Sequence, residues 1–278
     1  MDTALRVLPY ENRSLSVVES LIDYPITPPD MAAFEPHSPM QNQILAGLPD
    51  AEYERLRPHL DLVQLPLGVM LHETNGCSSF AYFPTAGIVS PLCMMQNGAA
   101  AAVAITGNDG MIGTSLFMGR GGTADRAVVQ SPGHGYRLGA NRLRHEFERG
   151  GYFSKLLLQY THSLYMQMAQ TAVCNRYHSI EQQLCRWLLL MLDRMPTNEL
   201  SLTHELLSRI LGVRREGITD AAGKLQKAGV IRYRRGHITV LDDDELKARV
   251  CECYAVAKGE TACAAAKPRR NTAQLRLM

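Results

Sequence analysis

The sequence predicts an α+β protein in which an antiparallel β jelly roll precedes a long helix and a C-terminal winged helix-turn-helix. Three observations lead to this fold class. Short strand-like runs punctuated by glycine occupy residues 62–138, and apolar side chains recur at close to heptad intervals over 141–174. Residues 202–241 then carry two short amphipathic helices and a β-hairpin. The alternating pattern of an α/β protein is absent, which disfavours a parallel sheet.

Composition narrows the class of protein and its compartment. The chain has 278 residues, of which 46% are apolar and 20% charged, as in an ordinary soluble protein of about two domains. No apolar run reaches the about 18 residues that a membrane span needs, and the N-terminus lacks a signal-peptide pattern, so we expect a cytoplasmic protein without a membrane partner. The seven cysteines are an odd number without framework spacing, which predicts reduced thiols.

The N-terminal region divides into a leader and the start of the first domain. Residues 1–39 contain six prolines and no sustained period, which predicts an extended or disordered leader. A short helix is expected after Asn42, and a second one is expected to begin at the capping residue Asp50. Both are expected to pack beside the jelly roll, whose domain we place at 40–140.

The jelly roll is predicted from strands separated by glycine-marked corners, and this architecture can hold a ligand among its strands. The predicted strands are Val63–Leu65, Val69–Leu71, Ala81–Phe83, Ile88–Met95, Ala99–Ile105, Ala127–Gln130 and Gly135–Leu138.

A dimerisation helix with a following hinge is predicted for residues 141–178. The apolar residues on one face of this helix form a stripe that has two interpretations, contact with the barrel or pairing with a second copy of the chain. The length of the helical segment, about thirty residues, favours the homodimer. A capping box begins at Ser179, so a new helix starts there and Tyr177-His178-Ser179 is the predicted hinge. The stripe consists of Phe153, Leu157, Tyr160, Leu164, Met168 and Thr171.

The winged helix-turn-helix is predicted within residues 179–254. Its two helices meet at Gly212, a residue tolerant of positive φ, and Thr203 is placed to cap the first of them. The outward side chains of the second helix are those that a recognition helix presents to base edges, with Arg suited to guanine and Glu to cytosine. They are Arg214, Arg215, Glu216 and Thr219.

A basic hairpin completes this unit and predicts double-stranded DNA as the partner. Two β-prone runs flank the tip 234–237, which places Arg235 and His237, with Lys224 of the preceding helix, near a phosphate backbone. Residues 201–240 contain eight basic and three acidic side chains, a net charge of +5, whereas the whole chain is only +2. The positive charge is therefore concentrated where nucleic acid would bind.

The remainder of the chain gives no positive sign of metal, cofactor or catalytic chemistry. Asp242–Tyr254 is predicted as a closing helix and 255–278 as a flexible basic tail. Cys251 and Cys253 lack partners of obvious metal-binding spacing, so idle thiols are favoured over a metal or redox pair, and the histidines show no short ligand spacing. No phosphate loop, nucleophile elbow or carboxylate pair is found, which predicts that the protein is not an enzyme.

The order of these elements resembles the Crp/Fnr family of bacterial transcription regulators over about Asn42 to Tyr254. The most specific segment is Gly212-Val213-Arg214-Arg215-Glu216, which looks like the family's turn and recognition-helix opening. The resemblance implies a cyclic-nucleotide-binding-like jelly roll, Arg215 and Glu216 as base readers and Thr203 as a phosphate contact. Asp220 stands where cyclic-AMP-responsive members carry an arginine, which implies a different operator.

The predicted jelly roll differs from the cyclic-AMP-responsive members at the positions that bind the nucleotide. Gly110-Met111-Ile112-Gly113 replaces their glycine-glutamate-leucine-glycine turn, and Asp125-Arg126-Ala127 is the nearest match to their phosphate-binding arginine-serine pair. Met111 cannot accept a hydrogen bond from a ribose hydroxyl as the glutamate does, and Asp125 would repel a phosphate. We therefore expect no tight cyclic-AMP binding and leave the effector unidentified. The candidate effector pocket is Met111, Ile112, Gly113, Asp125 and Arg126.

The leading hypothesis is a homodimeric, sequence-specific transcription regulator that binds a palindromic operator and works with RNA polymerase. One alternative is a small-molecule or redox sensor that uses its jelly roll, with DNA binding secondary. An enzyme built on the jelly roll is the least favoured, because strands 88–95 and 99–105 offer no metal triad.

Overall fold

The structure is a computed structural model, and it describes residues 38–72, 79–95, 100–119 and 126–264. The described chain combines helices with two antiparallel sheets, which confirms the predicted fold class. The predicted leader lies almost wholly outside the described residues, as do Asp125 and the end of the predicted basic tail.

The first domain begins with short helices held against the sheet. A 3-10 turn at Pro39–Gln41 leads into α1 (Gln43–Ala46) and α2 (Asp50–Leu56), as predicted, although Pro49 rather than Asp50 precedes α2. Asn42 fixes the start of α1, because its side-chain oxygen accepts from the backbone amides of the first turn. The side-chain nitrogen of this fully buried residue donates to two distant carbonyl oxygens, those of Pro84 and Gly110, at 2.9 and 2.8 Å.

The first sheet has five strands, all paired antiparallel. Its order is β1-β5-β3-β4, and β2 also pairs with β5. The short helix α3 lies between β4 and β5 in the chain. The bounds are β1 Leu60–Leu65, β2 Met70–His72, β3 Phe80–Met94, β4 Ala100–Ala102, α3 Ser115–Met118 and β5 Arg126–Gly139.

Two long strands replace four of the predicted short ones. The runs predicted at 81–83 and 88–95 join in β3, and those at 127–130 and 135–138 join in β5. The β3–β5 register shifts between Pro84 and Val89, so the glycines mark irregularities within a continuous strand pair rather than corners between strands. At Gly87 φ is +86°, and a Cβ there would lie 2.6 Å from the carbonyl oxygen of Ser131.

The predicted long helix is two helices, α4 (Ala140–Glu148) and α5 (Tyr152–Tyr177). The helix is interrupted between them because Gly150 adopts a left-handed conformation, with φ at +72°. Glu52 of α2 then caps α5, because its carboxylate accepts from the backbone amides of Tyr152 and Phe153, both at 2.8 Å. The residue that caps the new helix therefore lies about a hundred positions earlier in the sequence.

The stripe predicted as a dimer seam lies in the core of the single chain. Phe153, Leu157 and Tyr160 are buried against the sheet and α4, and Leu164 packs on the same cluster. Farther along α5, Thr171 is also buried, and Met168 is half-buried. The burial of Phe153, Leu157, Tyr160 and Thr171 within one chain disfavours them as a dimer contact, since a heptad-like stripe fits a sheet as well as a second helix.

The C-terminal domain follows the predicted order with three differences. Ser179 forms the predicted capping box at the start of α6, and the hairpin pairs as expected. A short strand that the sequence analysis did not find, β6, adds to the hairpin to give the order β6-β8-β7. The elements are α6 Ile180–Leu192, β6 Glu199–Ser201, α7 His204–Leu211, α8 Arg215–Lys227, β7 Ile231–Arg234, β8 His237–Val240, α9 Asp243–Arg249 and α10 Cys253–Ala264.

The other two differences concern the end of the domain. The predicted closing helix is interrupted before α10, and α10 continues into the predicted tail and packs along α5. Tyr254 and Ala257 are buried there, and Lys258 forms an ion pair with Asp193 at 2.8 Å. These contacts order a segment whose local composition is that of a solvated tail.

The two domains are in contact in this structure. The guanidinium of Arg194, just after α6, reaches the carboxylate of Asp109 at 2.6 Å, and both side chains are more than 90% buried. α7 also packs on β4, where a Cβ added to Gly212 would lie 3.2 Å from the Cβ of Ala101. Of the helices that the structure describes, none is both long and apolar enough to cross a bilayer.

Candidate nucleic-acid interface

The helix-turn-helix is fixed by a cap at one end and a left-handed residue in the turn. The Thr203 hydroxyl accepts from the backbone amide of Leu206 at 3.1 Å, which caps α7 as predicted. Gly212 ends α7 with φ at +66° and ψ at +30°, a conformation that a side chain disfavours. The two helices share a buried apolar face, which sets the orientation of α8; it includes Leu207, Ile210, Ile218, Ala221, Ala222 and Leu225.

The opposite face of α8 is open to solvent and carries the predicted reading residues. Arg214, Arg215 and Glu216 are exposed at the N-terminal end of the helix. Among the residues that the structure describes, no ion pair engages these three side chains, so their charged groups are available to a ligand. An open groove runs along this face, lined by Arg215, Glu216, Thr219, Asp220, Gly223, Lys224 and Lys227.

Two of the predicted contact residues are already engaged within the domain. Lys224 forms an ion pair with Asp220 one turn earlier at 2.9 Å, and this carboxylate raises the pKa of the lysine. The Thr219 hydroxyl donates to the carbonyl oxygen of Arg215 at 3.0 Å. The side chains of the first turn of α8 are therefore more available for intermolecular hydrogen bonds than those of Thr219 and Lys224.

His204 is a supporting residue that the sequence analysis did not identify. Its ring stacks on Tyr233 of the hairpin with centroids 4.1 Å apart, and its Nδ1 lies 3.1 Å from the Thr219 hydroxyl of α8. Burial, and secondarily the charge of Arg215, lower the pKa of His204. This histidine therefore links α7, α8 and the hairpin, and only the position after the capping Thr203 could have suggested its role.

The hairpin tip lies beside the start of α7. Arg235 and Gly236 form its two-residue turn with φ values of +50° and +81°, the left-handed pair that suits the twist of a hairpin. The His237 ring and the Ser201 hydroxyl approach to 3.3 Å across the edge of the sheet. A Cβ added to Gly236 would lie 3.2 Å from the Thr203 methyl group, so Thr203 lies next to the hairpin tip that carries the exposed Arg235.

Of the predicted effector residues, Met111 and Ile112 have described side chains, and both face the interior of the sheet domain. The side chains of Met111 and Ile112 are at most 5% exposed, and each fills a hydrophobic cluster of the sheet domain. Gly113 adopts φ at +105° beside them. The backbone of Arg126 pairs with Leu92, whereas its side chain and Asp125 lie outside the description.

Tyr160 of α5 closes over this same segment of the sheet domain. Its hydroxyl donates to the carbonyl oxygen of Met111 and lies within hydrogen-bond distance of the Thr106 hydroxyl, both at 3.0 Å. A Cβ at Gly110 would come within 2.3 Å of the tyrosine ring. Burial raises the pKa of Tyr160, which keeps its hydroxyl neutral. A change in this loop would therefore reach α5 through a direct contact.

Comparison with known families assigns the C-terminal domain. A family model for the Crp-like helix-turn-helix domain matches residues 182–249. This segment is therefore similar in sequence to that domain. The match contains α7, α8 and both hairpin strands, so it covers the exposed surface described above. Comparison with curated proteins gives no match.

Solved structures extend the likeness to the whole architecture. A Crp/Fnr-family transcriptional regulator from Eubacterium rectale superposes with a TM-score of 0.58 at 18% identity, covering 76% of this chain and 97% of that one. The c-di-GMP-responsive global regulator CLP of Xanthomonas campestris gives 0.55 at 16% identity over 69% and 99%. A Crp/Fnr-family regulator from Thermus thermophilus gives 0.54 at 21% over 68% and 97%. The chain therefore has the Crp/Fnr fold.

Proposed function

We propose that this chain is a sequence-specific transcription regulator of the Crp/Fnr type, which binds a palindromic operator as a homodimer. The observation that carries the proposal is the exposed N-terminal turn of α8. Arg214, Arg215 and Glu216 project from it, and no ion pair holds them within the described residues. The Crp-like domain match and the fold support the same conclusion.

In this proposal the first turn of α8 enters the major groove. Arg215 donates two hydrogen bonds to the O6 and N7 acceptors of guanine, and Glu216 accepts from the N4 amino group of cytosine. Arg235 at the hairpin tip and Thr203 at the start of α7 contact phosphates and set the register of the helix. Specificity and positioning are thus divided between adjacent parts of one surface.

The proposed dimer contact uses the face of α5 that is turned away from the sheet. Leu158, Tyr165 and Val173 are 55%, 66% and 47% exposed, an unusual share of apolar surface for one helix. Leu158, Tyr165 and Ala172 recur every seven residues, the interval that keeps a seam against a second helix. A second copy of this chain is therefore the occupant that we propose, with this face replacing the predicted stripe.

Dimer symmetry determines the form of the operator. A two-fold axis along paired α5 helices places the two α8 helices in successive major grooves on one side of the duplex, about 34–36 Å apart. Two inverted half-sites are required to match them. In the cell, such a regulator would act in the cytoplasm beside RNA polymerase.

Cyclic AMP is not the effector in this proposal. Met111 stands where a ribose-binding carboxylate would be needed, and its buried side chain is part of the hydrophobic core. Converting this position to a ligand contact would require the core of the domain to open, which costs the free energy of its apolar burial.

Selection of bound sequences from a random duplex pool tests the proposal, with and without added cyclic AMP. The expected result is a single inverted-repeat motif that is the same with and without cyclic AMP. Enrichment without any shared motif would contradict sequence-specific reading, and a motif that appears only with cyclic AMP would contradict the effector assignment. A single half-site would contradict the dimer.

A further inference from the structure

Four potential metal ligands meet where α5 ends and α10 begins. Cys174 and His178 are one helical turn apart at the end of α5, and Cys251 and Cys253 flank the junction between α9 and α10. Their ligand atoms all lie within 4.8 Å of one another. The three thiols are buried and His178 is half-buried, so the group is largely shielded from solvent. We call these four residues the cysteine–histidine cluster.

Two distances within the cluster are close to those around a tetrahedral zinc ion. The sulfurs of Cys174 and Cys251 are 3.7 Å apart, and the sulfur of Cys253 is 3.4 Å from Nδ1 of His178. Zinc–sulfur and zinc–nitrogen bonds at tetrahedral angles separate two sulfurs by about 3.8 Å and a sulfur from a nitrogen by about 3.6 Å. The cysteines are free thiols, and their sulfurs are well beyond bonding distance of about 2.05 Å.

We propose that the cysteine–histidine cluster binds one Zn²⁺ ion through three thiolates and one imidazole. Thiolate and imidazole ligands select zinc over hard cations such as Mg²⁺ or Ca²⁺, which require oxygen. Because all four ligand atoms lie within 4.8 Å of one another, the geometry suits a single ion rather than an iron–sulfur cluster, whose thiolates are distributed over several iron atoms. A closed set of four protein ligands is typical of a structural site.

The surrounding residues have the arrangement that supports a metal site. The Glu252 carboxylate lies 3.4 Å from Nε2 of His178, which would leave Nδ1 to the ion and orient the ring. The Gln170 amide donates to the sulfur of Cys253 at 3.0 Å. Buried Arg186 adds positive charge near Cys174 and has two nitrogens without a hydrogen-bond partner in the described structure. This charge would offset the excess negative charge of three thiolates.

The ion would join segments that are far apart in the sequence. Cys174 and Cys251 are separated by 77 positions, and His178 belongs to the segment predicted as a hinge. Zinc would therefore tie the end of the long helix to α9 and α10, directly before α6 carries the chain into the helix-turn-helix domain. The three cysteines are buried, and a bound cation is what would make their thiolates stable in this environment. The ion site does not depend on the proposed DNA binding.

Metal content and cobalt substitution of the full-length protein provide the first test. Protein purified under reducing conditions without chelators is expected to contain one zinc per chain. Anaerobic replacement by Co²⁺ is expected to give thiolate charge-transfer absorption and the intense visible bands of tetrahedral cobalt. Cys253→Ser should lower zinc affinity at least tenfold, about 1.4 kcal/mol or more, whereas Cys185→Ala removes a buried thiol outside the cluster and should leave it unchanged.

A labelling experiment on the unaltered protein keeps the test independent of whether variants fold. Zinc is expected to protect Cys174, Cys251 and Cys253 from alkylation, and its removal by a chelator should expose them, while exposed Cys93 reacts in both states. Mass spectrometry of the labelled peptides distinguishes these outcomes. The proposal would be overturned by protein that contains no stoichiometric metal and gives no cobalt bands, or by a Cys174–Cys251 disulfide in place of the metal. It would also be overturned if Cys185→Ala lost as much metal as Cys253→Ser.

Discussion

Arg215 and Lys224 occupy the same exposed face of α8 but differ in what they can contribute to recognition. Arg215 has no ion-pair partner among the described residues, whereas Lys224 is paired with Asp220 at 2.9 Å. Arg215→Ala should cost about 1–3 kcal/mol on the selected operator and relax preference at one base pair, because a bidentate contact is lost. Lys224→Ala should cost less and equally on all sequences, since it removes an ion-paired charge. Fluorescence anisotropy at fixed salt measures both.

A variant elsewhere on the surface controls for charge alone. Arg57 is exposed and pairs with Glu54 in the first domain, so Arg57→Ala removes the same charge far from α8. Its operator affinity should match that of the unaltered protein. If Arg215→Ala bound the operator with unchanged affinity, α8 would not read bases through this residue.

His204 makes the stability of the helix-turn-helix depend on pH. Its lowered pKa means that the unfolded chain takes up protons before the folded chain does as pH falls, so stability is lost below the ordinary histidine value of 6.5. Compared with His204→Phe, which keeps a ring against Tyr233, the unaltered protein should lose relative stability on going from pH 7.5 to 5.5. Urea unfolding at several pH values measures the difference in unfolding free energy between the two proteins. The contributions of the other histidines are the same in both and cancel. A difference independent of pH would contradict this role.

At the scale of elements, the start of α5 depends on a carboxylate from α2. Glu52 accepts two backbone hydrogen bonds at the N-terminus of α5, where the helix dipole also favours a negative charge. Glu52→Ala should therefore destabilise the protein by about 1–2 kcal/mol in urea unfolding. Glu54→Ala, on the same helix but paired only with exposed Arg57, should cost less than about 1 kcal/mol. Equal effects would mean that the cap does not stabilise α5.

Elements whose determinants are local were predictable from the sequence. The cap at Thr203, the left-handed Gly212 and the capping box at Ser179 each act within one helical turn, and all three are present. The exposed face of α8 was predictable for the same reason, because helical spacing alone separates its buried and exposed residues.

Elements and site residues with distant partners were not predictable in this way. The break before α5 depends on Glu52, and the stacking of His204 depends on Tyr233 in the hairpin. The stripe on α5 was correctly found, but its spacing suits a sheet as well as a second helix. The cysteine–histidine cluster is the clearest case, because the fold of α10 along α5 is needed to bring its two pairs together.

The whole molecule contains a continuous physical connection between its domains. Tyr160 joins α5 to the loop around Met111, and Asp109 of the same loop pairs with Arg194 behind the helix-turn-helix. Removing one partner of such a buried pair typically costs about 3–5 kcal/mol, because the remaining charge has no solvent. This ion pair therefore contributes to the contact between the two domains.

The proposed operator recognition depends on the proposed dimer, which the exposed face of α5 makes testable. The double variant Leu158→Glu and Tyr165→Glu places four charges near the proposed two-fold axis, where like charges and lost apolar burial oppose association. Light scattering after size exclusion should show the mass of one chain instead of two. Affinity for the inverted repeat should fall to that for a single half-site. Leu241→Glu, at an exposed apolar position outside α5, should remain dimeric. A double variant that stays dimeric would place the contact elsewhere.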